Sequence, residues 1–300
     1  MLKKLKHKKI ISLLLTISMI ICVIPLNQAT YVYANEEAVN TIYQEGIVYS
    51  ISLDDSLNLI VNAEGDNGNK ATAEIQSNGN FVFETTTDNQ TEYYSGVINE
   101  LSEESLNAQL KDENGRVVES YTSIEELESY NQYEGQLALP LWPGVVITFG
   151  QVLSVLIAGG IIIMIGGVAY IVGSTFRTKI NELSAEDKNK AKGLYYKAAI
   201  KNSNVFIHND GMKKDKAATY LKASRYNCVY SFTATMAKSV ITAMGYTPYS
   251  NKWPDGESHE GGKKSGWYYK HYHPKELKGD RQHSFYGSAI MASEFGTNIG

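Results

Sequence analysis

The sequence predicts an α+β protein built from an N-terminal small antiparallel β domain, one glycine-rich transmembrane-type helix, and a C-terminal α+β domain ending in a β-hairpin. Three observations predict it. Apolar and polar residues alternate between Ile47 and Phe83, and the segment from Gly135 to Phe176 carries no charge at all. After Ser184, helix signals give way to two aromatic strands rich in histidine. The expected divisions are a leader at 1–34, an acidic β-rich extracellular domain at 35–135, a hydrophobic segment at 136–176 and a basic α+β domain at 177–300.

The leader comes first. Lys3, Lys4, Lys6, His7, Lys8 and Lys9 precede an uncharged apolar run from Ile10 to Ile24, which Pro25 ends. Val32-Tyr33-Ala34 then places a small residue at a cleavage point. This is the layout of a Sec-type signal peptide cut after Ala34. The apolar run approaches spanning length, so an uncleaved anchor is the alternative. The expected location is therefore outside the cytoplasm, either secreted or held in the cell membrane by a single pass.

Cysteine usage excludes a disulfide framework. Cys22 lies in the leader, without the small residues of a lipoprotein box, which leaves Cys228 alone in the mature chain. Amid Tyr226, Val229 and Tyr230 it reads as a small buried hydrophobe.

Charge divides the chain sharply. Glu36 to Glu134 holds 21 acidic and 3 basic residues, a net −18, whereas Arg177 to the end holds 20 basic and 11 acidic, a net +9. The overall −4 hides this polarity. Either the basic part faces an anionic partner, or the two parts attract each other.

In the acidic part, Ile47, Tyr49, Ile51 and Leu53 share one strand face, and Leu57, Leu59, Val61 and Ala63 repeat the period, as do Phe81 and Phe83. Turn chemistry separates the runs at 64–69, at Asn78-Gly79 and at Asn114-Gly115. A short helix is expected from Ser123 to Tyr130. No metal-ligand spacing, nucleophile motif or phosphate loop occurs there.

The hydrophobic segment begins poorly for a helix, with Pro140 and Pro143 around Trp142, but Phe149 to Val172 suits one. Twenty-four helical residues rise about 36 Å, enough to cross a bilayer core of about 30 Å. Gly159, Gly166 and Gly173 recur every seven residues, with Gly160 and Gly167 alongside, as in a helix-helix packing stripe. The expected partners of this segment are the lipid bilayer and a second copy through helix-helix self-association, with a buried core helix as the alternative. Glu126, Glu128 and Glu134 before it and Arg177 and Lys179 after it put the tail in the cytoplasm if the segment stops transfer.

In the basic part, Ser184-Ala185-Glu186-Asp187 starts a helix expected to reach about Lys201, followed by a short strand from Asn204 to His208. Further helices are expected over Lys213 to Ala223 and from about Tyr226 to Met244, where Gly245 stops the last. A polar loop over 247–265 leads to the final hairpin.

That hairpin carries the chemistry. One strand contains Gly266-Trp-Tyr-Tyr-Lys-His-Tyr-His-Pro274, and the other Arg281-Gln-His-Ser-Phe-Tyr-Gly287. Period-two geometry puts His271 and His273 on one face, with His283 and Arg281 together on the returning strand and Lys270 on the reverse side. Three neutral imidazoles can hold Zn²⁺ or another borderline metal. A histidine pair can equally serve as general base and acid, with Arg281 stabilising phosphorane charge, as in a metal-independent ribonuclease. Structural histidines on a basic, aromatic sheet face are the plain alternative. His208 and His259 stand apart and read as structural. The sequence itself specifies neither a metal nor another cofactor.

The order of leader, acidic strands, glycine-rich segment and basic tail with His271-Tyr272-His273-Pro274 and His283-Ser284-Phe285-Tyr286-Gly287 resembles the secreted and polymorphic toxins of Gram-positive bacteria. The likeness is loose over the whole layout and closer over about the last 100 residues. It implies a toxin, a cognate immunity protein as partner, and His271, His273 and His283 as signature positions; that the tail cleaves or binds RNA rests on the hairpin's imidazoles, Arg281 and the basic charge instead. Two other classes remain open: a membrane-anchored docking protein without catalysis, and a bacteriocin-like membrane disruptor acting through the glycine-ribbed helix.

Overall fold

The alternation that begins at Ile47 becomes a long antiparallel meander. In the computed structural model, which describes residues 31–34, 40–44, 46–66, 68–128, 147–202, 204–249, 267–277 and 282–291, nine strands follow one another: β1 Tyr31–Ala34, β2 Asn40–Gln44, β3 Ile47–Leu53, β4 Leu59–Gly65, β5 Lys70–Ile75, β6 Asn80–Thr87, β7 Gln90–Ser102, β8 Ser105–Lys111 and β9 Val117–Tyr121. Each pairs with the next. In β3, Ile47, Tyr49, Ile51 and Leu53 are buried while the residues between them are not, which is the inward face that period two dictates. Gly79 and Gly115 take positive φ at their turns, as Asn-Gly chemistry requires. Residues 124–128 are helical. The expected cleavage point falls at the end of β1, and the rest of the leader lies outside the described residues, as do Pro140 to Pro143.

The expected glycine-rich transmembrane helix is absent, and the fold class is corrected accordingly. Phe149 to Val172 is divided into helix α1, Phe149–Gly159, and a hairpin of β10, Ile162–Ile165, with β11, Val168–Val172; helix α2, Gly173–Glu182, follows. Three of the glycines make turns, while Gly159 and Gly173 make room for Ile42 and Tyr269 rather than for a second helix. Gly160 ends α1 in the left-handed region with φ +58°, and Gly166 and Gly167 make the hairpin turn with φ +58° and +74°. Three successive isoleucines, Ile161 to Ile163, favour the strand that follows. No helix among the described residues is long and apolar enough to cross a membrane. Among the described residues strand outweighs helix, 49% to 26%, so the architecture is one large mixed sheet with helices on it.

Helix α1 fills the meander's inner face. Thr148 and Gln151 form a reciprocal capping box: the Thr148 hydroxyl accepts from the Gln151 N–H at 3.2 Å, and the Gln151 amide oxygen accepts from the Thr148 N–H at 2.9 Å. Phe149 stacks on Phe81 with ring centroids 4.4 Å apart. Gly96 makes room for Phe81, because a Cβ there would strike both its ring and the Gln109 carbonyl.

The remaining strands are β12 Tyr195–Lys201, β13 Asn204–Met212, β14 Cys228–Ser231, β15 Pro248–Tyr249, β16 Trp267–Pro274 and β17 His283–Met291, with helices α3 Ala185–Lys192, α4 Lys214–Ala223 and α5 Ala234–Ala243. Their pairings give the order β10-β11-β13-β12-β14-β17-β16-β15. All neighbours are antiparallel except β14 and β17, which run parallel and make the sheet mixed. β10 meets β7 through Met164 and Leu101, joining this sheet to the meander. Two expected helices are corrected. The one from Ser184 stops at Lys192, after which Tyr195 to Lys201 form a strand. The one from Tyr226 begins with strand β14, whose four residues are all buried, and is helical only from Ala234. A strand buried on both faces shows no alternation, so its apolar run passes for helix.

A single cluster of buried residues runs from Ile42 through Phe81, Phe149, Phe176 and Tyr196 to Phe285, and Arg177 lies inside α2. A smaller second cluster joins Val229 to Leu221 of α4 and to Val240 and Ile241 of α5.

Candidate functional site

The expected histidine hairpin is present as β16 and β17. Register sets His271 opposite Phe285 and Tyr272 opposite Ser284, so the next step brings His273 opposite His283. The parallel neighbour β14 places Cys228 beside His283 and Tyr230 beside Phe285. His271, His273, His283 and Phe285 thus share one face. A bulge between Tyr269 and Lys270 lets the ladder resume at Ala289, so Ala289 to Met291 complete the strand. Gly287 supplies the positive φ of +75° within the bulge. The Tyr230 hydroxyl donates to the Gly287 carbonyl at 3.0 Å while accepting from Arg177 at 2.7 Å.

The three imidazoles surround one point. Ring centroids are 4.8 Å apart for His271 and His273, 4.9 Å for His271 and His283, and 4.5 Å for His273 and His283. One ligating atom from each lies within 4.8 Å of the others. His271 and His283 are 4% and 3% exposed, so they are interior residues, while His273 is half-buried. Phe285 lines the cluster, parallel to His283 and edge-on to His271, each at 5.3 Å.

Hydrogen bonds fix the rings. His271 Nδ1 lies 3.0 Å from the Tyr269 carbonyl, and His273 Nδ1 lies 3.1 Å from the Gln282 carbonyl. A carbonyl only accepts, so both Nδ1 atoms carry the proton and both Nε2 atoms carry the lone pair. His283 Nδ1 sits 3.6 Å from Cys228 Sγ, and that sulfur is also 3.7 Å from the Tyr226 carbonyl. With the thiol proton directed to Tyr226, the sulfur accepts from His283 and the same tautomer results. Burial pushes the Cys228 thiol up to about 12, so it stays protonated near neutral pH and is no nucleophile there.

Gln282 is the residue that sequence reasoning missed. Buried beside the cluster, its amide donates to the Leu221 and Ser224 carbonyls at 2.7 and 3.0 Å. Those carbonyls end α4, so the helix terminus holds the backbone that orients His273. Nothing in the local pattern marks a glutamine between Arg281 and His283 for this part. Arg281 and His259 lie outside the described residues. His208 is in β13, away from the cluster, with Nδ1 2.9 Å from the Ala169 carbonyl and Nε2 3.3 Å from Asp210. Lys270 is half-buried on β16.

Chemically, the cluster offers three neutral nitrogen donors to a metal ion, or proton-transfer groups to a substrate. Comparison with protein-family models, curated proteins and solved structures returned no match, so the site is read from its own geometry.

Proposed function

We propose that this chain is an exported toxin-type effector whose C-terminal region, basic by +9, acts on RNA or another anionic partner at the cluster of His271, His273 and His283. The observation that carries the reading is the convergence of three imidazoles on one sheet face, two of them held through Nδ1 by backbone carbonyls. Structural histidines have no need to gather at one point. The leader, the charge and the resemblance of the two histidine strands to secreted toxins agree with it. A producing cell would then need a cognate immunity protein. The membrane-disruptor alternative rested on a continuous glycine-ribbed helix, which the fold replaces with a hairpin. It is set aside.

Because the core is shared, the test uses the full chain rather than the tail. Expressed in bacterial cytoplasm without residues 2–34, the chain is expected to arrest growth and degrade or sequester RNA, and His283→Ala to relieve the arrest. A harmless wild-type chain would overturn the effector reading and leave the docking protein in its place. Export is checked separately: N-terminal sequencing of the released protein is expected to begin at Asn35, and recovery of Met1 from membranes would make the leader an anchor.

A further inference from the structure

We infer that His271, His273 and His283 bind one divalent transition-metal ion of zinc type through three imidazole nitrogens, leaving a fourth position for a water or substrate oxygen. The inference deepens the effector reading by naming what its cluster holds, although the geometry behind it does not depend on any substrate.

Three features favour an ion over a proton-transfer pair. The first is distance. With Zn–N bonds of about 2.0–2.1 Å, a tetrahedral centre spaces its nitrogens about 3.4 Å apart. Closing from 4.8 Å requires each ring to move by under about 1 Å, which side-chain rotation supplies without shifting the strands. A general acid and base must instead reach the two sides of a phosphodiester. Two hydrogen bonds of about 2.8 Å, end to end, already exceed the spacing found.

The second feature is the shell behind the rings. Metal-binding imidazoles commonly donate their other N–H to a carbonyl or carboxylate, which fixes the ring and raises its basicity. His271 and His273 do so to Tyr269 and Gln282, and His283 has the Cys228 sulfur in that place. Gln282 is itself anchored to α4, so the shell extends two residues deep.

The third is donor type. Among the described residues the group contains imidazoles and no carboxylate, a set that suits zinc and its borderline neighbours and disfavours magnesium or calcium. Two of its members are buried against Phe285, and His273 is half-buried with its Nε2 turned to the interior. Three protein ligands with an exchangeable fourth position match catalytic rather than structural zinc centres, and an oxygen of an anionic substrate fits that position.

The test is a titration of the purified full chain, stripped by a chelator, with Zn²⁺ alone and with Co²⁺ alone. One equivalent of each is expected to bind, and Co²⁺ to give the visible absorption of a four-coordinate site. His271→Ala, His273→Ala and His283→Ala are each expected to lower affinity at least about 100-fold, since outer-shell changes alone cost about 10- to 100-fold. Circular dichroism on each variant separates lost ligation from lost fold. Failure of the wild-type chain to bind either ion saturably, or undiminished binding by the three folded variants, overturns the metal site. Growth arrest without bound metal would remove this inference and spare the effector reading. One bound equivalent in a chain harmless to cells would do the reverse.

Discussion

Two hairpins of opposite character hold the molecule together. β10–β11 is apolar on both faces and docks on the meander, where the Gly167 N–H donates to the Asn99 carbonyl at 2.8 Å and the Gly166 N–H to the Glu100 carboxylate at 2.9 Å. β16–β17 is aromatic and polar, and its buried face gathers three imidazoles. The first hairpin is fixed by its turn, the second by what lies behind its strands. Turn glycines in one and a buried glutamine in the other are therefore where each should break.

The largest effect is expected at the turn. Gly166 and Gly167 have φ of +58° and +74°, and a Cβ at either would meet nothing closer than 3.7 Å. Crowding is absent, so the cost of a side chain is conformational, about 1–2 kcal/mol per residue in the left-handed region. Replacing both with leucine should lower unfolding stability by about 2–4 kcal/mol. Asparagine, which tolerates this region, should recover part of the loss. Denaturant titration of both double variants checks the expectation. Unchanged stability in the leucine variant would mean that no such turn exists, and a continuous helix would return to consideration.

The same contrast explains what could be read from sequence. β16 alternates, with Tyr269 and His271 buried and Lys270 and Tyr272 only partly so, and the histidines recur at period two, so His271, His273 and His283 could be placed together from spacing alone. β3 was legible for the same reason, with Tyr49 inward and Ser50 outward. β14 is buried throughout, β10 all but its last residue, and β11, though its burial alternates, is apolar or aromatic at every position, so none shows a polar-apolar period. Length then decides, and 24 uncharged residues look like one helix until the positive φ of Gly160, Gly166 and Gly167 is known. The heptad spacing of Gly159, Gly166 and Gly173 was a coincidence of strand and turn lengths, since Gly159 ends α1, Gly166 opens the β10–β11 turn and Gly173 begins α2. Gln282 was illegible for another reason: its partners are backbone carbonyls about 60 positions away, and carbonyls leave no trace in a sequence.

A smaller effect is expected behind the histidine hairpin. Gln282→Met keeps the side chain's length but removes the amide that donates to Leu221 and Ser224. Leaving those carbonyls unpaired should cost about 1–3 kcal/mol. Because the Gln282 carbonyl orients His273, Co²⁺ affinity should also fall about 10-fold while the fold survives. Equal affinity in the folded variant would show that α4 supports the hairpin without orienting its ring. The measured pair, stability and affinity, distinguishes a positioning role from a packing one.

The smallest effect concerns the charge asymmetry between the acidic meander and the basic region. Part of it is spent within the chain. Lys201 pairs with Glu104 at 2.6 Å and Lys179 with Asp55 at 2.9 Å, while Asn202 donates to Glu103 at 2.6 Å. These contacts cross from the basic region to the acidic meander, yet Glu104 and Asp55 are mostly exposed, at 68% and 90%. Water and salt screen such pairs, so Lys201→Ala should cost only about 0.2–1 kcal/mol, and less as ionic strength rises. A thermal melt of the variant at low and high salt measures both quantities. The outcome bears on what the +9 is for. A loss within that range leaves most of the positive charge available to an anionic partner. A loss several times larger, abolished by salt, would mean that the two regions depend on mutual attraction, and the charge would then need no partner outside the molecule.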